Sequence, residues 1–186
     1  TLDGGYLGDD TMSGGAGNDT YIIDSVADSV TELASQGTDT IQSSVSWSLA
    51  DNFENITLTG ADDINATGNL GDNTLVGNDG ANTLDGGYLG DDTMSGGAGD
   101  DTYIVDSVND SVTESNSEGT DTVKASVSWT LGENFENLEL SSHISQTTAT
   151  ELSTLEAESG GGFVINGVSD NDKSGISVSD AGDVTV

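Results

Sequence analysis

Residues 96–104 read Gly-Gly-Ala-Gly-Asp-Asp-Thr-Tyr-Ile, and residues 14–22 read Gly-Gly-Ala-Gly-Asn-Asp-Thr-Tyr-Ile. Both stretches fit the nine-residue pattern G-G-x-G-x-D-x-U-x, in which U is a large apolar residue. The glycines permit a tight reversal with carbonyl oxygens converging on one point, and the aspartate adds a hard anionic oxygen. The last three residues form a short strand whose U side chain points inward. Two such units therefore make one coil of a flattened roll.

These stretches belong to a duplication, because residues 1–58 align with residues 83–140 at a constant offset of 82, with 44 of the 58 positions identical. The inward-pointing residues recur every nine to eleven positions along both copies. They are Leu2, Met12, Tyr21, Val30 and Ile41, then Leu75, Leu84, Met94, Tyr103, Val112 and Val123. This spacing predicts that the roll continues, in degenerate form, beyond the recognisable turns.

The composition excludes several classes of partner. The 186 residues include 34 acidic residues against two basic ones, Lys124 and Lys173, which gives a formal net charge of −32. Nucleic acid and anionic membrane surfaces both require basic patches that this sequence lacks. A compact state with this charge repels itself, so bound cations are the expected partners. There is no cysteine, so thiolate metal sites are excluded.

The nonapeptide pattern resembles the RTX, or haemolysin-type, calcium-binding repeat family over most of residues 1–140. The resemblance implies an all-β fold, a right-handed parallel β-roll (β-solenoid), with calcium as the cofactor. In that family an ion lies between turns stacked one coil apart. One turn supplies carbonyls from its second and fourth positions and its aspartate, and the next supplies carbonyls from its first and third positions and its own aspartate.

Carried over to this sequence, the resemblance implies four sites built from aspartate-bearing turns. They would use Gly5, Gly8 and Asp10 with Asp28; Gly15, Gly17 and Asp19 with Asp39; Gly87, Gly90 and Asp92 with Asp110; and Gly97, Gly99 and Asp101 with Asp121. In each pair the second turn departs from the consensus, so only its aspartate is assigned.

Two further turns carry Asn where the pattern has Gly and Asp. They would pair as Asn69, Gly71 and Asn73 with Gly86, Tyr88 and Asp92, and as Asn78, Gly80 and Asn82 with Gly96, Ala98 and Asp101. An amide oxygen is a legitimate calcium ligand but carries less charge, which predicts weaker binding. The alternative is an Asn-rich β-helix turn without metal. Six other carboxylates are predicted to be solvated. They are Asp62, Asp63, Asp106, Glu114, Glu133 and Glu136.

After each run of turns the pattern changes to alternation, with Val45, Trp47 and Leu49 in the first copy and Val127, Trp129 and Leu131 in the second. Alternation predicts half-buried strands. The two tryptophans, together with Phe53 and Phe135, are predicted to be core or capping residues. A carbohydrate-stacking face is the alternative.

The chain divides by composition into a first β-roll unit (1–58), connecting Asn-type turns (59–82), a second unit (83–140), a linker (141–161) and a C-terminal segment (162–186). The linker is rich in Ser, Thr and Glu and ends in glycines. Residues 162–186 resemble the start of an FG-GAP repeat, the propeller blade of integrin-like proteins, which predicts an incomplete β segment. The abrupt ends suggest a fragment of something longer.

An enzyme is not predicted, because the chain has one histidine, His143, no cysteine and no G-x-S-x-G motif. The favoured interpretation is a calcium-binding structural module of a secreted or cell-surface protein. By resemblance, the parent protein would leave the cell through a type I secretion system and fold outside it. The alternatives are an adhesin segment that binds glycans or cells, and the accessory region of a secreted hydrolase or epimerase.

Overall fold

The computed structural model describes residues 1–6 and 8–141, which form fifteen short strands and no helix. The strands are β1 (Leu2–Asp3), β2 (Thr11–Met12), β3 (Thr20–Ile23), β4 (Ser29–Val30), β5 (Thr40–Ser43), β6 (Trp47–Ser48), β7 (Asn55–Leu58), β8 (Ala66–Thr67), β9 (Thr74–Val76), β10 (Thr83–Asp85), β11 (Thr93–Ser95), β12 (Thr102–Val105), β13 (Ser111–Thr113), β14 (Thr122–Ala125) and β15 (Asn137–Leu140). The chain is therefore all-β over these residues, as the repeat pattern predicts.

Successive strands alternate between two sheets. One sheet has the order β1-β3-β5-β7-β9-β11-β13, and the other has the order β6-β8-β10-β12-β14-β15, while β2 pairs separately with β4. Every pair is parallel, and with the exception of β14 and β15 each strand pairs with the strand two places along the chain. Two repeats thus make one coil, and the predicted parallel β-solenoid is confirmed.

The predicted ladder of apolar residues forms the core between the two sheets. In the first sheet Tyr21 pairs with Ile41, and Leu75 pairs with Met94. In the second sheet Leu84 pairs with Tyr103, which continues to Val123. Most ladder residues are fully buried, whereas Leu2, Val30 and Val112 are partly buried against the same cluster. Buried residues outside the ladder, among them Ile23, Ile56 and Val105, complete the core.

Equivalent strands of the two sequence copies lie in opposite sheets. Strand β3 of the first copy aligns in sequence with strand β12 of the second copy, and these strands belong to different sheets. Strand β12 is the ninth strand after β3, which is an odd number of half-coils. The strands pair across the boundaries between the two units and the connecting turns, so residues 1–140 build one continuous solenoid. Equivalent residues of the two copies therefore face opposite ways.

The alternating segments contribute to the core without forming full strands. Only Trp47–Ser48 is a strand in the first copy, and residues 127–131 of the second copy lie outside any strand, so the predicted second strand is wrong. Both tryptophans are half-buried against the core. Phe53 packs edge-on against Tyr21, with ring centroids 5.3 Å apart, and Phe135 packs in the same way against Tyr103 at 5.4 Å. The core assignment of these aromatic residues is therefore confirmed for the two phenylalanines.

The C-terminal predictions cannot be compared with the fold. Apart from Ser141, the linker (141–161) and the FG-GAP-like segment (162–186) lie outside the described residues, as does His143. Within the described part of the chain, no helix is long and apolar enough to span a membrane.

Candidate metal sites between stacked turns

Glycine at the first position of each turn gives the aspartate of that turn room to fold over it. A Cβ placed on Gly14 would lie 2.5 Å from Asp19 Oδ2 and 2.6 Å from the Tyr21 hydroxyl oxygen. A Cβ on Gly99, whose φ is 121°, would lie 2.5 Å from the carbonyl oxygen of Gly80 in the turn one coil away. Any side chain here would push apart the turn or its neighbour, so these positions favour glycine.

The predicted aspartate pairs are brought together by backbone hydrogen bonds between stacked turns. In each pair, the amide N–H of the first aspartate donates to Oδ1 of the second. The distances are 3.1 Å for Asp10 to Asp28, 2.8 Å for Asp19 to Asp39, 3.0 Å for Asp92 to Asp110 and 2.9 Å for Asp101 to Asp121. The side chains that would share an ion are therefore neighbours one coil apart.

The residues that the family pattern assigns as carbonyl ligands lie in the same stacked turns. Seven of the glycines have a left-handed backbone: Gly5, Gly15, Gly17, Gly87, Gly90, Gly97 and Gly99. Gly86 and Gly96 lie beneath the carboxylates of Asp92 and Asp101, where a Cβ would overlap them. The side chain of Tyr88 is 75% exposed. That these residues coordinate an ion stays a prediction.

The carboxylate ladder extends further than the pattern indicates. The amide N–H of Asp39 donates to Glu54 Oε2, and that of Asp121 donates to Glu136 Oε2, each at 2.7 Å. Glu136 is exposed, in agreement with its prediction as a solvated charge, and it also accepts a hydrogen bond from the preceding turn. In both copies, the last aspartate of the ladder is thus followed by a glutamate. The glutamate side chain is long enough to reach back to the amide of that aspartate, which lies one coil earlier.

Several buried carboxylate oxygens have no hydrogen-bond partner. Asp92 and Asp101 are each 1% exposed, and in both the Oδ2 atom is buried and unpaired. Burial, together with the smaller effect of neighbouring aspartates, raises the pKa of Asp92 to about 7 and that of Asp101 to about 6. An unpaired buried carboxylate is costly unless a cation or a proton neutralises it. The donor set consists of hard oxygens, which fits a calcium ion.

Two clusters contain a third carboxylate that the repeat pattern does not assign. Oxygen atoms of Asp19, Glu32 and Asp39 lie within 4.8 Å of one another, and so do those of Asp101, Glu114 and Asp121. Glu114 was predicted to be solvated, which is wrong, because its Oε2 atom is buried without a partner. Burial raises the pKa of Glu114 to about 7. The only signal in the sequence was that both copies keep this glutamate.

Within residues 1–6 and 8–141, no lysine side chain forms an ion pair with these clusters. Lys124 is the single lysine among the described residues, and its Nζ lies 3.7 Å from Glu139 Oε2 with both side chains largely exposed. An exposed ion pair of this kind contributes little to stability. The charge of the buried carboxylates must therefore be balanced from solution.

The Asn-type turns satisfy their side chains internally. Asn73 Oδ1 accepts from the amide of Asn69 at 2.7 Å, and Asn82 Oδ1 accepts from the amide of Asn78 at 2.8 Å. Their Nδ2 groups donate to backbone carbonyls of the preceding coil, at 3.1 Å to Phe53 for Asn73 and at 2.7 Å for Asn82. Each amide thus acts as both acceptor and donor, so none of these side chains requires a cation.

The raised pKa values predict opposite effects of pH on the metal-free and metal-bound protein. Without calcium, the folded forms of Asp92, Asp101 and Glu114 hold protons between pH 4 and pH 7 that the unfolded chain has lost. Stability of the metal-free fold is therefore present at low pH and is lost as the pH rises through 7. With calcium, protons compete for the same oxygens.

We expect the calcium concentration at half-folding to be nearly the same at pH 8 and pH 6, because the carboxylates of the unfolded chain have ordinary pKa values of about 4 and are ionised at both. Between pH 6 and pH 4 these carboxylates take up protons, so the calcium concentration at half-folding should rise at least about tenfold. Calcium titrations followed by circular dichroism at fixed ionic strength measure this. A midpoint that does not change between pH 6 and pH 4 would contradict the assignment of these carboxylates to metal binding.

A parallel β-solenoid whose glycine turns stack buried carboxylates between coils is a metal-binding repeat protein by its architecture. The family model of the RTX calcium-binding nonapeptide repeat matches four stretches, residues 5–22, 58–87, 67–103 and 87–112. The chain therefore contains RTX repeats, which bind calcium and form a structural domain rather than a catalytic one.

Two curated proteins of Rhizobium meliloti (strain 1021) are similar to part of the chain. The endo-1,3-1,4-beta-glycanase ExsH is 43% identical over 65 residues, which is 35% of this chain and 14% of that protein. The endo-1,3-1,4-beta-glycanase EglC is 44% identical over 54 residues, which is 29% of this chain and 12% of that protein. The chain thus corresponds to a small part of either relative. No solved structure matches it.

Proposed function

We propose that this chain is a calcium-binding structural module of a larger secreted or cell-surface protein, and that it folds when it meets calcium after export. The observation that carries the proposal is the row of buried carboxylates that stack between coils with unpaired oxygens at Asp92 and Asp101. Calcium supplies the positive charge that the protein lacks, with 34 acidic residues against two basic ones. Folding and metal binding are then one equilibrium.

Calcium is proposed to bind at the four aspartate pairs. In each pair a stacked amide aligns the second carboxylate beside the first, so both are preorganised for one ion. The Asn-type turns are proposed to close without metal, because their amide groups already pair with the backbone. The alternative is that Asn69, Asn73, Asn78 and Asn82 are calcium ligands, as the repeat pattern predicts. The number of ions bound per chain distinguishes the two hypotheses.

Export in an unfolded state is consistent with this chemistry. A chain that cannot neutralise its own carboxylates remains extended where calcium is scarce, and it folds in the millimolar calcium outside cells. A type I secretion system is the proposed route, by resemblance to the family. The similarity to parts of ExsH and EglC supports a second candidate function, namely the accessory region of a secreted hydrolase whose catalytic domain lies elsewhere.

Equilibrium dialysis of the full chain against calcium tests the proposal. We expect four ions per chain, with dissociation constants of about 0.1–1 mM, as in extracellular calcium modules. Magnesium at the same concentration serves as the control, because its small size and rigid octahedral geometry suit these turns poorly. Six bound ions would show that the Asn-type turns bind metal as well. The absence of calcium binding would refute the proposed function.

A further inference from the structure

Glu32 and Glu114 occupy the position of a turn that is glycine in the consensus. Glu32 stands two residues after the ladder residue Val30, just as Gly14 stands two residues after Met12. A Cβ on Gly14 would point at the carboxylate of Asp19, 2.5 Å from Oδ2. The first position of a turn is therefore directed at the carboxylates. In the longer second turn, the glutamate side chain reaches the same region.

The carboxylate of Glu32 is held at one oxygen and left open at the other. The Tyr21 hydroxyl donates to Glu32 Oε1, and the Gly14 amide donates to the Tyr21 hydroxyl oxygen at 2.5 Å and to Glu32 Oε1 at 3.2 Å. Glu32 is 5% exposed, and its Oε2 atom is buried with no partner. Asp19 and Asp39 each present a carboxylate oxygen within 4.8 Å of that of Glu32.

The second copy repeats this arrangement on the opposite sheet. The Gly96 amide donates to the Tyr103 hydroxyl oxygen, and the Tyr103 hydroxyl donates to Glu114 Oε1. Glu114 Oε2 and Asp101 Oδ2 are both buried and unpaired. The residues that follow the glutamate differ between the copies, with Leu33-Ala34 in one and Ser115-Asn116 in the other. The same geometry is therefore present in both copies, although the residues after the glutamate differ.

We infer that Glu32 and Glu114 each supply a third carboxylate to the calcium sites at Asp19 with Asp39 and at Asp101 with Asp121. The inference rests on the proposed function, because it assigns further ligands to two of its four sites. In these second turns the glycine pattern is lost, and the glutamate replaces ligands that a regular turn would take from its backbone. Calcium affinity increases with the number of charged ligands.

The other two sites lack such a residue. Asp28 Oδ2 accepts from the Ser25 amide at 3.2 Å, and Asp110 Oδ2 accepts from the Ser107 amide at 3.0 Å. These second aspartates are already bonded at both oxygens, and no third carboxylate is grouped with them among the described residues. The protein therefore has two classes of site, a tighter pair with three carboxylates and a weaker pair with two.

The variant Glu114→Gln tests the inference, because it removes the charge while keeping the size of the side chain and an acceptor for the Tyr103 hydroxyl. Calcium titration of the full chain by calorimetry should show one of the two tighter sites weakened at least about tenfold. Glu32→Gln should have the same effect at the other site. The matched control Glu133→Gln removes an exposed charge from the same copy and should leave every affinity unchanged.

The outcomes separate this inference from the proposed function. If the unaltered chain binds calcium and both glutamine variants bind it equally well, Glu32 and Glu114 are not calcium ligands. The proposed function as a calcium-binding module would be unaffected by that result. If the unaltered chain binds no calcium, the proposed function itself fails. If a glutamine variant does not fold, a crystal structure of the unaltered chain with bound calcium tests the inference instead. Ions should lie about 2.3–2.6 Å from a carboxylate oxygen of Glu32 and Glu114, and occupied sites without that contact would overturn the inference.

Discussion

Removal of calcium is expected to unfold the solenoid completely. A bound ligand stabilises a fold by about 2.7 kcal/mol per site when its concentration is 100 times its dissociation constant, so four sites contribute about 11 kcal/mol. A domain of this size has a net stability of about 5–15 kcal/mol in total. The hydrophobic core is a single cluster between the two sheets, and the formal charge of −32 opposes compaction. The metal-free chain is therefore left without a positive net stability.

Far-ultraviolet circular dichroism of the full chain measures this effect. The spectrum in a chelator should be that of an unfolded chain, and 10 mM calcium should produce the β signal. A matched solution of sodium chloride at equal ionic strength separates screening of the charges from specific binding, since screening alone acts on exposed charges. A β spectrum that persists in the chelator, or one that sodium chloride restores in full, would argue against folding driven by calcium.

Asp101→Ala is expected to lower the stability of the calcium-bound protein strongly. Asp101 is 1% exposed and lies between two turns, because its Oδ1 accepts from the Asn82 amide at 2.7 Å and its own amide donates to Asp121 at 2.9 Å. The substitution leaves the buried Asn82 amide unpaired, at a cost of about 1–3 kcal/mol. It also removes an ion worth about 2.7 kcal/mol. We expect a total loss of about 4 kcal/mol.

Urea unfolding at a saturating calcium concentration gives the free energy of unfolding for this comparison. Asp79→Ala is the matched control, since Asp79 is an exposed aspartate in the turn one coil before Asp101 and should change the free energy by no more than about 0.5 kcal/mol. Asp19→Ala should lower the free energy of unfolding by an intermediate amount, because Asp19 is only half-buried. Equal stability of Asp101→Ala and Asp79→Ala would refute the stacked-turn pairing.

The amino-acid sequence determined the architecture and the main carboxylate pairs. A period of nine to eleven residues fixes which side chains point inward, since a residue displaced by one would face solvent. Glycines at fixed offsets define the turns, so the sequence alone predicts that Asp19 and Asp101 lie beside Asp39 and Asp121. These features depend on local backbone geometry, which the sequence specifies directly.

Only the tertiary structure decided what the irregular turns do. Glu32 and Glu114 lie eleven residues after their tyrosines, and no local pattern shows that their side chains fold back into the aspartate pair of the preceding coil. The roles of the Asn amides as donors to the preceding coil, and the loss of the second alternating strand, were likewise undetermined. Contacts between coils depend on how turns of unequal length stack, and this stacking is set by packing over about twenty residues of chain, not by the repeat itself.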